Sequence, residues 1–488
     1  MTGDNAIMLA IGVPLITALG IQLAGRISDN LREGVTLAGA ATLVWVVWGM
    51  LPSLFEGARP AWTVTELLPG VSIAFEVEPL GMLFAALASG LWIINSIYSI
   101  GYMRGNSEGK QTRFYTCFAL ALSATIGIAF AGNLLTLFLC YELLTLSTYP
   151  LVSHKGDEAT IRSARVYLGI LLGTSIGLLL PAIIWTYVIA GTLTFTPGGI
   201  LAGKIAGPAV GLLLGLYVFG VGKAAVMPVH RWLPAAMVAP TPVSALLHAV
   251  AVVKAGVFTV TKVIIYVFGV DNLFSEPSGG WLLYAAAFTI IAASVVALRQ
   301  HNLKRMLAYS TIGQLSYVVM AAAVLTPLSE IGAAVHIVAH AFGKITLFFA
   351  AGAIYTASKK TELHQLKGIG ARMPWTMAAF TIGALSMIGV PPLAGFVSKW
   401  FILAGAFESD NYVAIFTVIL STVLNAAYFL PVIFAAWFAQ EAPGGKDHGE
   451  APWPAVLALC ITAALTLAFF FFNQPVLDLE AQLVGQVK

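Results

Sequence analysis

The sequence predicts an all-α polytopic membrane protein of about fourteen transmembrane helices. Three observations carry this expectation. Hydrophobic residues make up 59% of the chain and charged residues 10%, whereas soluble domains carry about 25% charge. Apolar runs of about 18 residues or more, enough to cross a bilayer, recur from end to end. The basic residues gather in alternate loops, the pattern of a chain that keeps its positive loops in the cytoplasm.

In order, the spans fall near 6–24, 36–54, 80–102, 114–130, 133–152, 164–190, 209–227, 243–269, 281–299, 306–325, 331–357, 375–403, 411–439 and 454–473. The weakest cut is at Ala131 and Gly132, between the fourth and fifth. With the N-terminus outside the cytoplasm, successive cytoplasmic loops hold Arg26 and Arg32; Arg104, Lys110 and Arg113; Lys155, Arg162 and Arg165; Arg231; Arg299, Lys304 and Arg305; Lys359, Lys360, Lys367 and Arg372; and Lys446. Only Arg59, Lys204 and Lys488 fall on the other side. One missed or invented helix would scramble that alternation, so it supports the helix count and places both termini on the non-cytoplasmic side.

Other classes recede on the same grounds. The net charge is +3 and its basic residues lie in short loops, so no nucleic-acid partner is expected. Cys117, Cys140 and Cys460 sit singly in apolar runs and imply neither a disulfide nor a metal framework. The start, MTGDNAIML, has no basic n-region or cleavage site, so the first run is expected to remain as a helix.

The functional signal is what stays charged inside the spans: Lys223, Lys254, Lys262, Lys344 and Lys399, with Glu142 as the one acid. A charge at mid-bilayer costs about 2.5–3.5 kcal/mol on insertion scales. Pro228, five residues past Lys223, removes a backbone donor and breaks or kinks the seventh span. Carbonyls freed in this way are tolerated only within protein or along a wet cavity. Thr145 and Tyr149 share a helical face with Glu142 and are expected to solvate it. A buried acid is expected to find a buried cation, with Lys223 as the first choice.

His336, His340 and Lys344, spaced by four residues, form a stripe on one helical face. Histidine exchanges protons near neutral pH, so the stripe could bridge Lys254 to Lys399. A metal site is the competing reading, but no third cysteine or acidic ligand shares that helix. His248 reads equally as a packed core residue or a relay member. Lys262, near the end of its helix, is expected to snorkel to the interface. His230 and Trp232 are expected to shape the break, and Arg162, Arg165, Lys304 and Arg305 to serve orientation. For Glu142 and Lys223 the bland alternative is a static ion pair.

The stretch YELLTLSTYPLVSHKGDEATIRSARVYL resembles the antiporter-like subunits of respiratory complex I and of the Mrp cation/proton antiporters. GKAAVMPVHRWLPAAMVAPTPVSALLHAVAVVKAGVF, LKRMLAYSTIGQLSYV, HIVAHAFGKITLFFAAGAI and IGVPPLAGFVSKWFI continue the likeness in the family's order, over about 80–405. The resemblance implies fourteen helices: helices 1–3 in 1–113, a first inverted repeat in 114–269, a second in 281–439, and helix 14 with its tail in 454–488. It implies two broken helices, one broken after its lysine near Met227-Pro228 and one before its lysine at Gly389-Val390-Pro391-Pro392. It also implies that Glu142, Lys223, Lys254 and Lys399 form a hydrated proton relay at mid-membrane.

The motifs look closest to those of D-type Mrp chains, although VVKAGVF departs from the TKVG form expected there. The length of 488 residues fits the compact types of the family. This implies a proton-translocating subunit of a Na+(K+)/H+ antiporter in a bacterial inner membrane, with Mrp A-, B-, C-, E-, F- and G-type partners. A proton-pumping subunit of a NADH:quinone oxidoreductase or membrane-bound hydrogenase is the alternative, and only there would the chain belong to an enzyme. A non-transporting scaffold is the third reading. No nucleotide fingerprint or cysteine cluster is present, so no cofactor is expected in this chain and any redox chemistry would lie in a partner. No acidic cluster resembling a sodium site appears in the spans.

Overall fold

The computed structural model describes residues 3–68, 70–441 and 448–486. Lys446 and Lys488, both used in the orientation argument, lie outside the described residues. The helices are α1 Gly3–Ala24, α2 Asp29–Phe55, α3 Pro79–Gly105, α4 Gln111–Ala129, α5 Leu134–Val152, α6 Glu158–Ala190, α7 Pro208–Gly220 and α8 Thr241–Phe268. They continue with α9 Pro277–Leu298, α10 Leu303–Val324, α11 Pro327–Ser358, α12 Pro374–Ile388, α13 Ala394–Glu408, α14 Tyr412–Phe438, α15 Trp453–Phe471 and α16 Gln474–Gln486. Among the described residues 12 are long and apolar enough to cross a membrane. The two interrupted spans supply shorter apolar helices, α7 and α12.

Short polar side chains start the helices. Ser28, Asn133, Asp157, Asn302 and Thr326 each accept a backbone N–H from the first turn that follows. Asn133 settles the weak cut: its side chain accepts from Thr136 N at 2.8 Å and begins α5. The same amide donates to Ser72 O at 2.8 Å, tying that start to the loop before α3. That loop holds a feature outside the all-α expectation, a hairpin of β1 Ala61–Leu68 and β2 Val71–Glu76. Two short strands fit there because Glu76 N donates to Phe130 O and Gly132 N to Ala74 O, which gives the α4–α5 turn its backbone partners.

Charge and apolarity are arranged opposite to a soluble protein. α8 is buried along its whole length and α10 and α11 nearly so, whereas α1, α2, α6, α14 and α15 leave more than half of their residues outside. Leu19, Trp45, Val188 and Phe416 project outward from that shell. Lys254, Lys262 and His248 sit on α8, and His336, His340 and Lys344 on α11, two of the inner helices. Apolar surface toward lipid and polar groups toward protein is the arrangement a bilayer demands.

Two breaks interrupt this bundle. α7 stops at Gly220, before Lys223, which corrects the expectation of a break after the lysine. A proline ring collides with the carbonyl four residues earlier, here Ala224, so the helix cannot run normally up to Pro228. The chain instead turns through Gly222–Ala224, with Ala225 left-handed at φ 57. The second break follows the expectation: α12 ends at Ile388, Gly389 adopts φ +95, and α13 then carries Lys399. A further difference lies in the acids. Glu33, Glu78 and Glu330 are also buried in helices or at a helix start, because the helices run past the apolar cores of the spans.

Candidate functional site

Lys223 lies on the unwound segment after α7, and its side chain is fully buried. Its Nζ donates to Tyr141 O at 2.8 Å and Thr145 Oγ1 at 2.5 Å, both on α5. The ammonium also stands 3.1 Å from the centroid of the Tyr141 ring. Trp232 Nε1 donates to the freed Gly222 carbonyl at 2.8 Å, so this residue does shape the break. Helix α8 approaches closely at Gly256, where a Cβ would collide with the backbone of Lys223 and Ala224. Only glycine permits that contact, which sets Lys223 beside the helix carrying Lys254.

The expected Glu142–Lys223 ion pair does not form. Lys223 takes its partners from the Tyr141 carbonyl and the Thr145 hydroxyl, and no contact to Glu142 within 4.0 Å joins the ion pairs of the described residues. Thr145 faces Lys223, not Glu142. Glu142 is half-buried, with both carboxylate oxygens enclosed and without a hydrogen-bond partner. On an α-helix, adjacent residues point about 100° apart, so Tyr141 and Thr145 turn inward while Glu142 faces the rim of the bundle. Leu139, Leu143 and Leu146 are exposed on either side of it.

The structure brings together the residues expected between Lys254 and Lys399, with a gap between the two histidine rings. A π-helical turn, Leu246–Val250, precedes Lys254 in α8. Such turns re-aim the side chains that follow. Lys254 Nζ lies 2.7 Å from His340 Nδ1. The His340 and His336 rings stack with centroids 6.1 Å apart, and His336 Nδ1 lies 2.8 Å from Ser398 Oγ. Ser398 adjoins Lys399, and Tyr317 stacks on His336 at 5.3 Å with Lys399 Nζ 5.2 Å from its ring. Lys399 Nζ reaches back to the carbonyls that the break frees, Ile388 O at 2.8 Å and Met387 O at 3.2 Å, and to Thr422 Oγ1 at 3.1 Å.

A second line runs from Lys344. Its Nζ donates to Ser310 Oγ at 2.6 Å, and Ser310 bonds the Tyr428 hydroxyl at 2.8 Å. Tyr428 donates to Asn425 Oδ1 at 2.5 Å, and Asn425 Nδ2 donates to Met387 O at 3.2 Å, the carbonyl that Lys399 shares. Lys344 and Lys399 are therefore joined by hydrogen bonds through three neutral side chains. His248 packs against Phe348 with centroids 4.5 Å apart, and neither ring nitrogen has a partner. It is buried near the line but not hydrogen-bonded into it.

Sequence reasoning missed Ser310, Tyr317, Ser398, Asn425 and Tyr428 as members of these lines. Neutral polar residues are common in membrane helices, so nothing local marks them. It also misplaced Lys262, which does not snorkel. Lys262 Nζ lies 2.9 Å from Glu78 Oε1 with side-chain exposures of 2% and 9%. The acid that holds it sits just before the predicted third span, where composition gave no reason to pair the two.

Comparison with known proteins gives consistent findings. Residues 131–425 match the family described as NADH:quinone oxidoreductase/Mrp antiporter, TM. NADH-quinone oxidoreductase subunit N of Desulforudis audaxviator is 31% identical over 458 residues, 93% of this chain and 90% of that protein. A probable K(+)/H(+) antiporter A/B-type subunit of Rhizobium meliloti is 30% identical over 473 residues, 90% of this chain and 44% of that protein. A chain in the structure of the Mrp complex from Dietzia sp. DQ12-45-1b superposes with a TM-score of 0.87 at 22% identity, over 100% of this chain and 98% of that one.

Proposed function

The chain belongs to the NADH:quinone oxidoreductase/Mrp antiporter family of membrane subunits, and on that premise we propose that it is the proton-translocating subunit of an Mrp-type Na+(K+)/H+ antiporter. The observation that carries this reading is the buried line from Lys254 through His340, His336 and Ser398 to Lys399. Groups that both donate and accept occupy every step. A histidine takes a proton on one nitrogen and releases it from the other, and in this reading water bridges the two Nε2 atoms, which have no partner among the described residues, so that the proton crosses the gap between the stacked rings.

In this reading the proton is loaded at Lys223. Tyr141 and Thr145 hold the ammonium by neutral oxygens, so its charge state stays responsive to Glu142 nearby. Swinging Glu142 toward Lys223 favours the ammonium, and swinging it away releases the proton toward Lys254. Lys399, anchored on the broken ends of α12, is the terminal station. The repeat 114–269 would contribute the first break with Lys223 and Lys254, and the repeat 281–439 the two histidines, Ser398 and the second break with Lys399. The exposed leucines beside Glu142 fit a face covered by a neighbouring chain of the complex, and the A-, B-, C-, E-, F- and G-type Mrp subunits are the partners proposed. The setting proposed is a bacterial inner membrane with both termini outside the cytoplasm.

The likeness to NADH-quinone oxidoreductase subunits favours a second reading, a redox-driven proton pump with the same relay. Gentle affinity purification with mass spectrometry of the co-purifying chains separates the two. Small hydrophobic subunits with a second large antiporter-like chain support the antiporter, and sodium- or potassium-dependent pH gradients in vesicles then follow. Iron–sulfur, flavin or nickel subunits overturn it in favour of the pump. Lys223→Met tests the relay in either assembly: an intact complex with undiminished proton flux rejects it and leaves the scaffold reading.

A further inference from the structure

The relay accounts for Lys254 but not for the lysine eight residues further along α8. Lys254, Phe258 and Lys262 recur every four residues and so share one helical face, with the two ammonium-bearing residues about 12 Å apart along the axis. The Phe258 ring stands between them, 5.5 Å from Lys262 Nζ and packed on Phe84 at 5.1 Å. Beyond it, Lys262 Nζ lies 2.9 Å from Glu78 Oε1 and donates to Ala131 O at 2.8 Å. Tyr266 donates its hydroxyl to the other oxygen of Glu78. The rings of Phe195 and Tyr266 stand 4.4 and 5.7 Å from the ammonium.

Two observations separate this cluster from a plain structural ion pair. Glu480, on the C-terminal helix α16, is fully buried, and neither of its carboxylate oxygens has a hydrogen-bond partner. Burial first, and then the nearby Glu78, raises its carboxyl well above the usual range. A cavity of ≈ 150 Å³ also touches Lys262, Glu78 and Tyr266 and is rimmed by the half-exposed Arg59 and Glu76. Burial raises the Glu76 carboxyl, against the opposing pull of Lys262. A static pair requires neither a second buried acid nor a polar cavity at its edge.

We propose that Lys262, Glu78 and Glu480 form a second proton-exchange site, the port by which the relay at Lys254 opens to the aqueous face that bears the β1–β2 hairpin. This rests on the relay reading above. The Lys262 ammonium gives one proton to the Glu78 carboxylate, leaving a neutral amine and a carboxylic acid. Glu78 passes that proton to water in the cavity beside Glu76 and returns to its anion. The amine is refilled from Lys254 through water admitted past Phe258, and a proton that Glu480 lends to Glu78 is returned to it by the next one that Lys262 delivers, so each proton released to the cavity is matched by one drawn from Lys254.

The test uses the whole complex, co-expressed with its partner subunits and reconstituted in vesicles, with proton flux and subunit stoichiometry both measured. Removing one member of the pair strands the other charge, so the decisive variant removes both, Glu78→Gln with Lys262→Met. The expected result is a fully assembled complex whose flux falls about tenfold or more. Normal flux in that assembled variant, with flux lost in Lys223→Met, overturns the port and leaves the relay standing. Normal flux in both rejects the relay reading itself. If the double variant does not assemble, Glu480→Gln decides: reduced flux supports the port and unchanged flux overturns it.

Discussion

The two breaks hold their lysines in opposite ways. At the first, Lys223 lies on unwound chain and borrows its partners from α5, through Tyr141 and Thr145. At the second, Lys399 lies within a regular helix and returns to the end of the helix before it, at Met387 and Ile388. A lysine held by a neighbouring helix moves when that helix moves. A lysine tied to the carbonyls of its own break is held mainly by local backbone geometry, here with one further bond to Thr422 on α14. In the relay proposed above, the first break would serve as the switch and the second as the fixed station, with Glu142, unpaired beside the first, as the group that throws the switch.

The largest expected effects fall on the lysines themselves. Lys223→Met and Lys399→Met are each expected to lower proton flux by about 10²-fold or more in assembled complexes. A loss confined to one of them would break the comparison. Glu78→Gln offers the contrast in stability: it strands Lys262 and should cost about 3–5 kcal/mol, read as a lower melting temperature in detergent. Glu142→Gln should behave differently, because no ion pair is lost: flux falls while the melting temperature holds or rises. A melting temperature that drops as far as in Glu78→Gln would show that Glu142 is a structural charge.

Smaller changes sharpen the same contrast. Gly256→Ala forces α8 away from Lys223 and is expected to cost about 1–3 kcal/mol, with flux reduced although no relay group is touched. Asn425→Leu removes the link between Tyr428 and Met387 O, costs two hydrogen bonds at about 1–3 kcal/mol while Tyr428 keeps Ser310 and Met387 O keeps Lys399, and should slow flux only in part. Undiminished flux there would mean that the Lys344 line is dispensable beside the His336–His340 line.

The smallest effect concerns pH. The Glu480 carboxyl is raised well above 4.5 in the folded chain. The native state then binds more protons than the unfolded state, so this group's stabilisation is complete below its unfolded value and is lost as pH rises toward its folded value. Its surroundings include Glu78, Tyr266 and Arg59. Thermal stability in detergent should decline with rising pH across that window. Glu480→Gln should flatten the decline, and an unchanged slope would show that the carboxyl titrates normally.

Much of the architecture was legible in the chain, because a bilayer reduces the problem to length, apolarity and loop charge. The helix positions follow from these, the His336–His340–Lys344 stripe follows from helical spacing, and the break ahead of Lys399 is what the family resemblance implies. The β1–β2 hairpin was not legible, since β2 is tied in place by the distant turn between α4 and α5. Nor was the true setting of Glu142: helical periodicity says which residues share a face, but not which face turns inward.

By itself, the sequence determined which charges enter the membrane and how far apart they lie along each helix. It also determined where proline forbids a regular backbone, because these are local properties of composition and spacing. Only the tertiary structure decided the pairings. Lys262 meets Glu78 instead of the interface, Lys223 meets the α5 carbonyl instead of Glu142, and Lys344 reaches Lys399 through Ser310, Tyr428 and Asn425. A buried ammonium is satisfied by any oxygen that packing brings within reach, and packing is settled by the whole bundle at once.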